Sequence, residues 1–255
     1  MLTAVFITGA SSGIGAALAR QYAKRGARLG LTGRNAERLQ SVAASLGAES
    51  ATYAASVTDL AAMQEAARDF TSRFGVPDVV IANAGIGGGT QTELASDYAV
   101  FREIMDTNVA GMVATFQPFV AAMRDAKKGA LVGVASMAGL RGLPGASAYS
   151  ASKAAAITYL ESLRVELRGS GVAVVTIAPG YIDTPLTAGN RYPMPFLTSA
   201  DAAAAKFVAA IDRRASFVAY PWQMAVLAPI YRRLPNLIYD GLFAKAPRKA
   251  RRESS

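Results

Sequence analysis

Tyr149 and Lys153 stand four residues apart in Tyr149-Ser150-Ala151-Ser152-Lys153, a spacing that sets a phenol and an ammonium on one face of a helix. A free phenol, with a pKa near ~10, is a poor base at neutral pH. A cation one turn away favours the phenolate and makes proton exchange with a bound oxygen feasible. The pair matters because of what the chain lacks. There is no histidine and no cysteine, which excludes imidazole mechanisms, the serine-hydrolase triad, disulfides and the usual zinc sites. No metal is expected. Proton transfer near neutral pH therefore falls to Tyr, Lys, Asp or Glu. A Tyr-x-x-x-Lys pair also arises by chance on exposed helices, so the pair needs support. Ser136 lies upstream, just past the apolar run Ala130–Ala135. Its hydroxyl suits either a hydrogen bond to a substrate oxygen or a turn cap.

A second cluster precedes these residues. Thr8-Gly9-Ala10-Ser11-Ser12-Gly13-Ile14-Gly15 follows the first apolar run and opens a helical pattern. A pyrophosphate needs backbone N–H groups and a helix N-terminus brought close, with no side chain in the way. Gly9, Gly13 and Gly15 supply the turn and the clearance, and Ser11, Ser12 and Ile14 form the rest of the cradle. Dinucleotide sites choose between cofactors about twenty residues further on, at the end of the second strand. There the chain reads Leu31-Thr32-Gly33-Arg34-Asn35, with no acid to hold a ribose 2′-hydroxyl. Arg34 can hold a 2′-phosphate that a carboxylate would repel, although an exposed helix-opening arginine is the plainer alternative. The expected cofactor is NADP(H).

The elements that must position these residues are legible as apolar runs at 4–8, 28–32, 50–55, 79–82, 130–135, 173–178 and 217–220. They are near-continuous, as parallel strands covered on both faces require. Helical spacing lies between them, as in Ile14, Leu18 and Tyr22 before Gly26, or Ile157, Leu160, Leu163 and Leu167 before Gly169. The expectation is an α/β fold: a doubly wound parallel sheet of about seven strands, helices on both faces, in one domain.

At 255 residues, 52% hydrophobic and 18% charged, the composition is globular. The N-terminus lacks a basic region and a cleavage site, so a secretory signal is not expected and the location is read as cytoplasmic. The uncharged runs 107–123 and 215–231 contain proline and are read as buried helices, not membrane spans. Of the net charge of +9, the segment from Arg232 onward carries +5. Such a tail is first a solvated end, next a contact for anionic lipid, and only third a nucleic-acid contact. No nucleic-acid partner is expected.

Taken in order, these residues resemble the short-chain dehydrogenase/reductase family over about residues 3 to 220. The markers are the glycine turn at 8–15, Asn83-Ala84-Gly85, Asn108, Ser136, the Tyr149/Lys153 pair and Pro179-Gly180. The resemblance implies a Rossmann fold and hydride transfer between nicotinamide and a carbonyl or alcohol. Tyr149 is then the general acid in reduction and the base in reverse. Lys153 lowers its pKa and binds the nicotinamide ribose, Ser136 holds the substrate oxygen, and Asn108 positions a water in a proton relay. Asn83, Ala84 and Gly85, with Val57, line the adenosine side; Pro179, Gly180, Ile182 and Thr184 flank the nicotinamide. Two residues depart from the pattern. Ser56 replaces a frequent Asp that contacts adenine, and Ala82 replaces a frequent Asn. A homodimer or homotetramer through the helices carrying Asn108 and Tyr149 is implied.

Residues 1–220 are read as the catalytic domain, with a substrate loop at 184–200, and 221–255 as its amphipathic basic extension. Leu186, Met194, Phe196 and Leu197 could form an apolar lid over a lipophilic carbonyl compound, or pack on their own domain. The extension resembles those of lipid- and steroid-type reductases. It could lie on a membrane surface or pack on the domain or a dimer mate. Two other readings of function are a non-catalytic NADP-binding regulator and a membrane-surface interaction protein.

Overall fold

Residues 3–190 and 192–252 are described by a computed structural model. Arg191 of the expected loop and Glu253 of the basic tail lie outside the described residues, as do Met1, Leu2, Ser254 and Ser255. The strands are β1 (Ala4–Thr8), β2 (Arg28–Gly33), β3 (Ser50–Ala54), β4 (Val79–Ala82), β5 (Ala130–Val134), β6 (Ala173–Pro179), β7 (Ile182–Asp183), β8 (Thr198–Ser199) and β9 (Phe217–Tyr220). Seven of them form one sheet in the order β3-β2-β1-β4-β5-β6-β9, every pair parallel. Val5 and Ile7 feed the core on one face, Ala4 and Phe6 the core on the other. Both faces being buried is why the five inner strands read as continuous apolar runs; the edge strands β3 and β9 are only partly buried.

One face is covered by α1 (Gly13–Ala23), α2 (Ala36–Ser45) and α7 (Ala200–Asp212). The other is covered by α3 (Leu60–Phe74), α5 (Gly111–Asp125) and α6 (Ser147–Glu166). There the fully buried rings of Phe6, Phe70 and Phe119 interlock, with Phe6 and Phe70 edge-to-face at 5.4 Å. Truncating any one of them to alanine costs about 3–5 kcal/mol. Strand β1 pairs with β2 on one side and β4 on the other, so the winding reverses there. The crevice beyond the strands' carboxyl ends at such a reversal is where these sheets bind ligands.

Between α4 (Asp97–Met105) and α5 the chain makes a π-helical turn, Asp106–Ala110. The long helix expected around Asn108 runs on through this turn, a π-bulge with helical backbone at Met105, Asp106, Ala110 and Gly111. The run 215–231 is not one buried helix. It divides at Pro221 into the edge strand β9 and α8 (Trp222–Arg233), because the fixed proline φ closes the strand and opens the helix. Trp222, Val226, Leu227 and Ile230 of α8 are exposed. Helix α9 (Asn236–Phe243) follows, its Tyr239 ring lying beneath the Arg141 guanidinium at 4.1 Å. No helix among the described residues is long and apolar enough to cross a membrane.

The basic end is not a solvated tail through Arg252. Gly89 donates its N–H to Ala250 at 2.8 Å and accepts from the Arg252 N–H at 3.1 Å. Arg251 pairs with the buried Asp97 at 2.7 Å, and Arg252 with Glu103 at 2.8 Å. Two carboxylates on α4 thus draw in charges that the linear sequence leaves without partners.

Candidate active site

The glycine turn is held from below. The Thr8 hydroxyl donates to the Ile81 carbonyl and accepts from the N–H groups of Asn83 and Ala84. The Asn83 carboxamide donates to the carbonyls of Thr8 at 3.0 Å and Gly9 at 3.2 Å. Asn83 therefore braces the turn as well as lining the crevice. Gly9 has φ +66°, and a Cβ there would sit 2.8 Å from Ala84 Cα. Glycine is required on both counts.

The N-terminus of α1 differs from those of α2, α3 and α7. Asn35, Asp59 and Ser199 each cap their helices by accepting a backbone N–H. Ser12 at the start of α1 makes no such bond, and no acidic side chain stands in the first turn. The free N–H groups and the positive end of the helix dipole are left facing the crevice, the arrangement that suits a pyrophosphate.

The crevice holds a cavity of about 420 Å³, large enough for a cofactor-sized ligand. Gly9, Ser11, Ser12, Gly13 and Ile14 form its floor, and Arg34 and Val57 stand at one end. Asn83, Ala84 and Gly85 line the middle. Ser136, Tyr149 and Lys153 close the other end with Pro179, Gly180, Ile182 and Thr184. Two expected residues do not line it. Gly15 lies beneath the turn, where a Cβ would sit 2.6 Å from the Asn83 amide nitrogen. Asn108 is buried one layer back.

Around Tyr149 the polar groups converge. Ser136 Oγ accepts from the Ala138 N–H at 3.1 Å, so it does cap the short turn Met137–Gly139. A hydrogen bond with this hydroxyl also draws the Tyr149 phenol downward in pKa, against burial, which pushes it up by more. The Lys153 ammonium is buried, donates to the Val134 carbonyl at 2.9 Å, and lies 5.9 Å from the centre of the Tyr149 ring. Burial pushes its pKa down to about 8.

Asn108 donates to the Ile86 carbonyl and to Ser152 Oγ, both at 2.9 Å, and its Oδ1 accepts from the Ile86 N–H at 2.8 Å. Both amide hydrogens are committed and one oxygen lone pair remains. A Cβ on Gly85 would lie 3.1 Å from Asn108 Oδ1 and 3.4 Å from Lys153 Nζ, so the two side chains meet over a bare glycine. Ser56 bonds Thr58 and presents no carboxylate to the cavity.

Of the expected lid, Leu186 reaches the cavity, while Phe196 and Leu197 are 45% and 46% exposed. The loop is pinned at its base by the pairing of β7 with β8. Sequence reasoning missed Thr8 and Ser152, whose hydroxyls serve the turn and Asn108. It also missed Lys249, which lies over the Tyr149 ring at 5.0 Å. Its only signal in the sequence was membership of a basic run.

The chain belongs to the short-chain dehydrogenase family, whose family model matches residues 3–194. It is 43% identical over 237 residues to an uncharacterized oxidoreductase of Myxococcus xanthus, covering 92% of this chain and 93% of that one. It is 34% identical over 269 residues to the dehydrogenase/reductase SDR family member 7B of Bos taurus, covering 97% of this chain and 82% of the relative. Among solved structures it is similar to an alcohol dehydrogenase of the archaeon Thermococcus sibiricus complexed with 5-hydroxy-NADP. That match has TM-score 0.77 and 26% identity, over 86% of this chain and 96% of the other. It is also similar to a levodione reductase, with TM-score 0.78 and 28% identity, over 88% and 99%. The chain is thus an oxidoreductase acting on CH–OH or C=O groups of a small molecule with a nicotinamide cofactor.

Proposed function

We propose that this oxidoreductase is an NADP(H)-dependent carbonyl reductase, reversible toward the alcohol, with Tyr149 as its general acid and base. The observation that carries the reading is the layout of one cavity. Ser136, Tyr149 and Lys153 stand at one end, Arg34 without an accompanying acid at the other, and the uncapped start of α1 between them.

The residues fit a dinucleotide. Gly9 to Ile14 would hold the pyrophosphate on backbone N–H groups, Arg34 the 2′-phosphate, and Lys153 the nicotinamide ribose. When bound, the nicotinamide supplies the hydride in reduction and accepts it in oxidation. Ser136 donates a hydrogen bond to the substrate oxygen and orients it toward Tyr149. Tyr149 gives its proton to that oxygen as the carbon is reduced, and Lys153 stabilises the phenolate left behind. Burial holds the phenol up and its hydrogen bond with Ser136 draws it down; the lysine ammonium and an oxidised nicotinamide are the cations that would bring this transfer toward neutral pH. Asn108 uses its remaining lone pair to position a water behind Lys153, which restores the proton.

Leu186 beside the cavity supports a lipophilic substrate. Exposed Tyr98, Phe101, Val113 and Val165 on α4, α5 and α6 support assembly through those helices. The exposed apolar face of α8 and α9, with Leu237 at 88% and Trp222 at 68%, supports peripheral membrane contact as a second role for the extension. The test is a panel of short polar and long apolar ketones and aldehydes with NADPH and with NADH, on the wild type and Tyr149→Phe. The variant is expected to lose about 10²–10⁴ in kcat while still binding NADPH. Undiminished turnover would refute the assignment of Tyr149.

A further inference from the structure

The chain end from Arg248 to Arg252 lies in a groove that glycines keep open. A Cβ on Gly88 would meet Arg252 Cβ at 2.6 Å, and one on Gly145 would meet Arg248 Cβ at 2.8 Å. A Cβ on Gly89 would strike the Ala250 carbonyl oxygen at 2.7 Å. The backbone hydrogen bonds between Gly89 and residues 250 and 252 run along the groove, and the pairs Arg251–Asp97 and Arg252–Glu103 lock its outer edge. The segment is thus fixed against Gly88, Gly89 and Gly145, next to Tyr149.

What the strap delivers is Lys249. Its ammonium, the edge of the Tyr149 ring and a methyl of Leu186 all fall within 3.4 Å of one point, the place a Gly87 Cβ would occupy. Among the described residues, Lys249 Nζ has no hydrogen-bond or ion-pair partner, and it lies over the Tyr149 ring at 5.0 Å. The neighbouring arginines, 251 and 252, are paired outward with α4. Burial accordingly pushes the Lys249 pKa down. A partly buried cation with no counter-charge is costly, and an anion arriving beside it recovers that cost.

We propose that Lys249 is a specificity-determining residue that binds a negatively charged group, a carboxylate or a phosphate, carried by the substrate close to its reacting oxygen. This rests on the carbonyl-reductase reading and deepens it. The substrate is an apolar chain beside Leu186 with an anionic head facing Lys249.

The experiment reads binding and turnover together, on the full chain with NADP(H) present. Titration calorimetry compares a medium-chain carboxylate with the matching alcohol. Turnover compares a medium-chain 4-oxo acid with its methyl ester, and a keto-alcohol with its phosphate monoester. The wild type is expected to favour the charged member of each pair, and the pair with the larger preference identifies the head group. In Lys249→Gln that preference falls about tenfold to a hundredfold, and in Lys249→Glu it reverses. An unchanged preference in both variants overturns the proposal. So does an equal loss for charged and neutral members with a shifted pH profile, which would mean that Lys249 acts on the Tyr149 phenol. Lys249-dependent carboxylate binding without turnover of any ketone would uphold the anion site and sink the reductase reading instead.

Discussion

Lys153 is expected to cost the cofactor-free protein stability, and replacing it with methionine should make the fold stronger while abolishing activity. Lys153 as a residue is 4% exposed, and burial holds its pKa at about 8 against an ordinary 10.5. At ~1.4 kcal/mol for each tenfold change in proton affinity, the penalty at pH 7 is about 3 kcal/mol. Methionine fills a similar volume but leaves the Val134 carbonyl without the donor it has at 2.9 Å, which returns about 1 kcal/mol. The net gain is about 2 kcal/mol, or a rise in Tm of roughly 4–8 °C for a chain of this size. The pH dependence has a definite sign. Between about pH 8 and 10.5 the unfolded chain holds the lysine proton and the folded one does not, so wild-type stability rises with pH across that window. The advantage of Lys153→Met should therefore be full below pH 8 and shrink toward pH 10.5. Urea unfolding of both proteins at pH 7 and pH 10, without cofactor, measures it. A variant less stable than the wild type at pH 7, or an advantage that does not shrink at pH 10, would refute the reasoning.

Four further outcomes are expected, three from the site and its surroundings and one from a control position. Arg34→Asp should lower the preference for NADPH over NADH by about tenfold to a hundredfold, limited by the exposure of the guanidinium, with the ratio of kcat/KM values as the readout. Gly9→Ala should raise the Kd for NADPH by at least about tenfold, read by fluorescence titration, because its Cβ would press on Ala84 at 2.8 Å. Gly47→Ala, at φ +60° in open space, should carry only the backbone cost of ~1 kcal/mol and leave binding alone. Gly88→Val should push out the chain end, since even its Cβ would lie 2.6 Å from Arg252 Cβ. Trypsin should then cut after Arg248 and Lys249 several-fold faster than in the wild type, and equal rates would show that the strap is not seated there.

The legible parts of this protein share one property: their physics is local. The five inner sheet strands were visible as apolar runs because burial on both faces removes the alternation that would blur them, while the edge strands β3 and β9 are only partly buried. The glycine turn was visible because close backbone approach excludes Cβ atoms at fixed offsets, and Tyr149 and Lys153 because a helix sets residues i and i+4 on one face. Ser136, Arg34 and the residues after β6 could be placed because strand ends in this winding point into one crevice.

What stayed hidden depends on partners far apart in the chain. Arg251 meets Asp97 across 154 positions, and no periodicity or spacing registers such a pair. The segment that looked like a charged solvated end is seated beside Tyr149 because Gly88, Gly89 and Gly145 leave room for it and α4 holds it with two carboxylates. The π turn at Asn108 and the capture of its carboxamide by Ile86 and Ser152 are equally non-local. Residue types and their order were enough to define the fold and to mark the candidate residues that the structure brings to one cavity. Only packing in three dimensions decided that Lys249 lies beside Tyr149, because that choice depends on which charges find partners on the way.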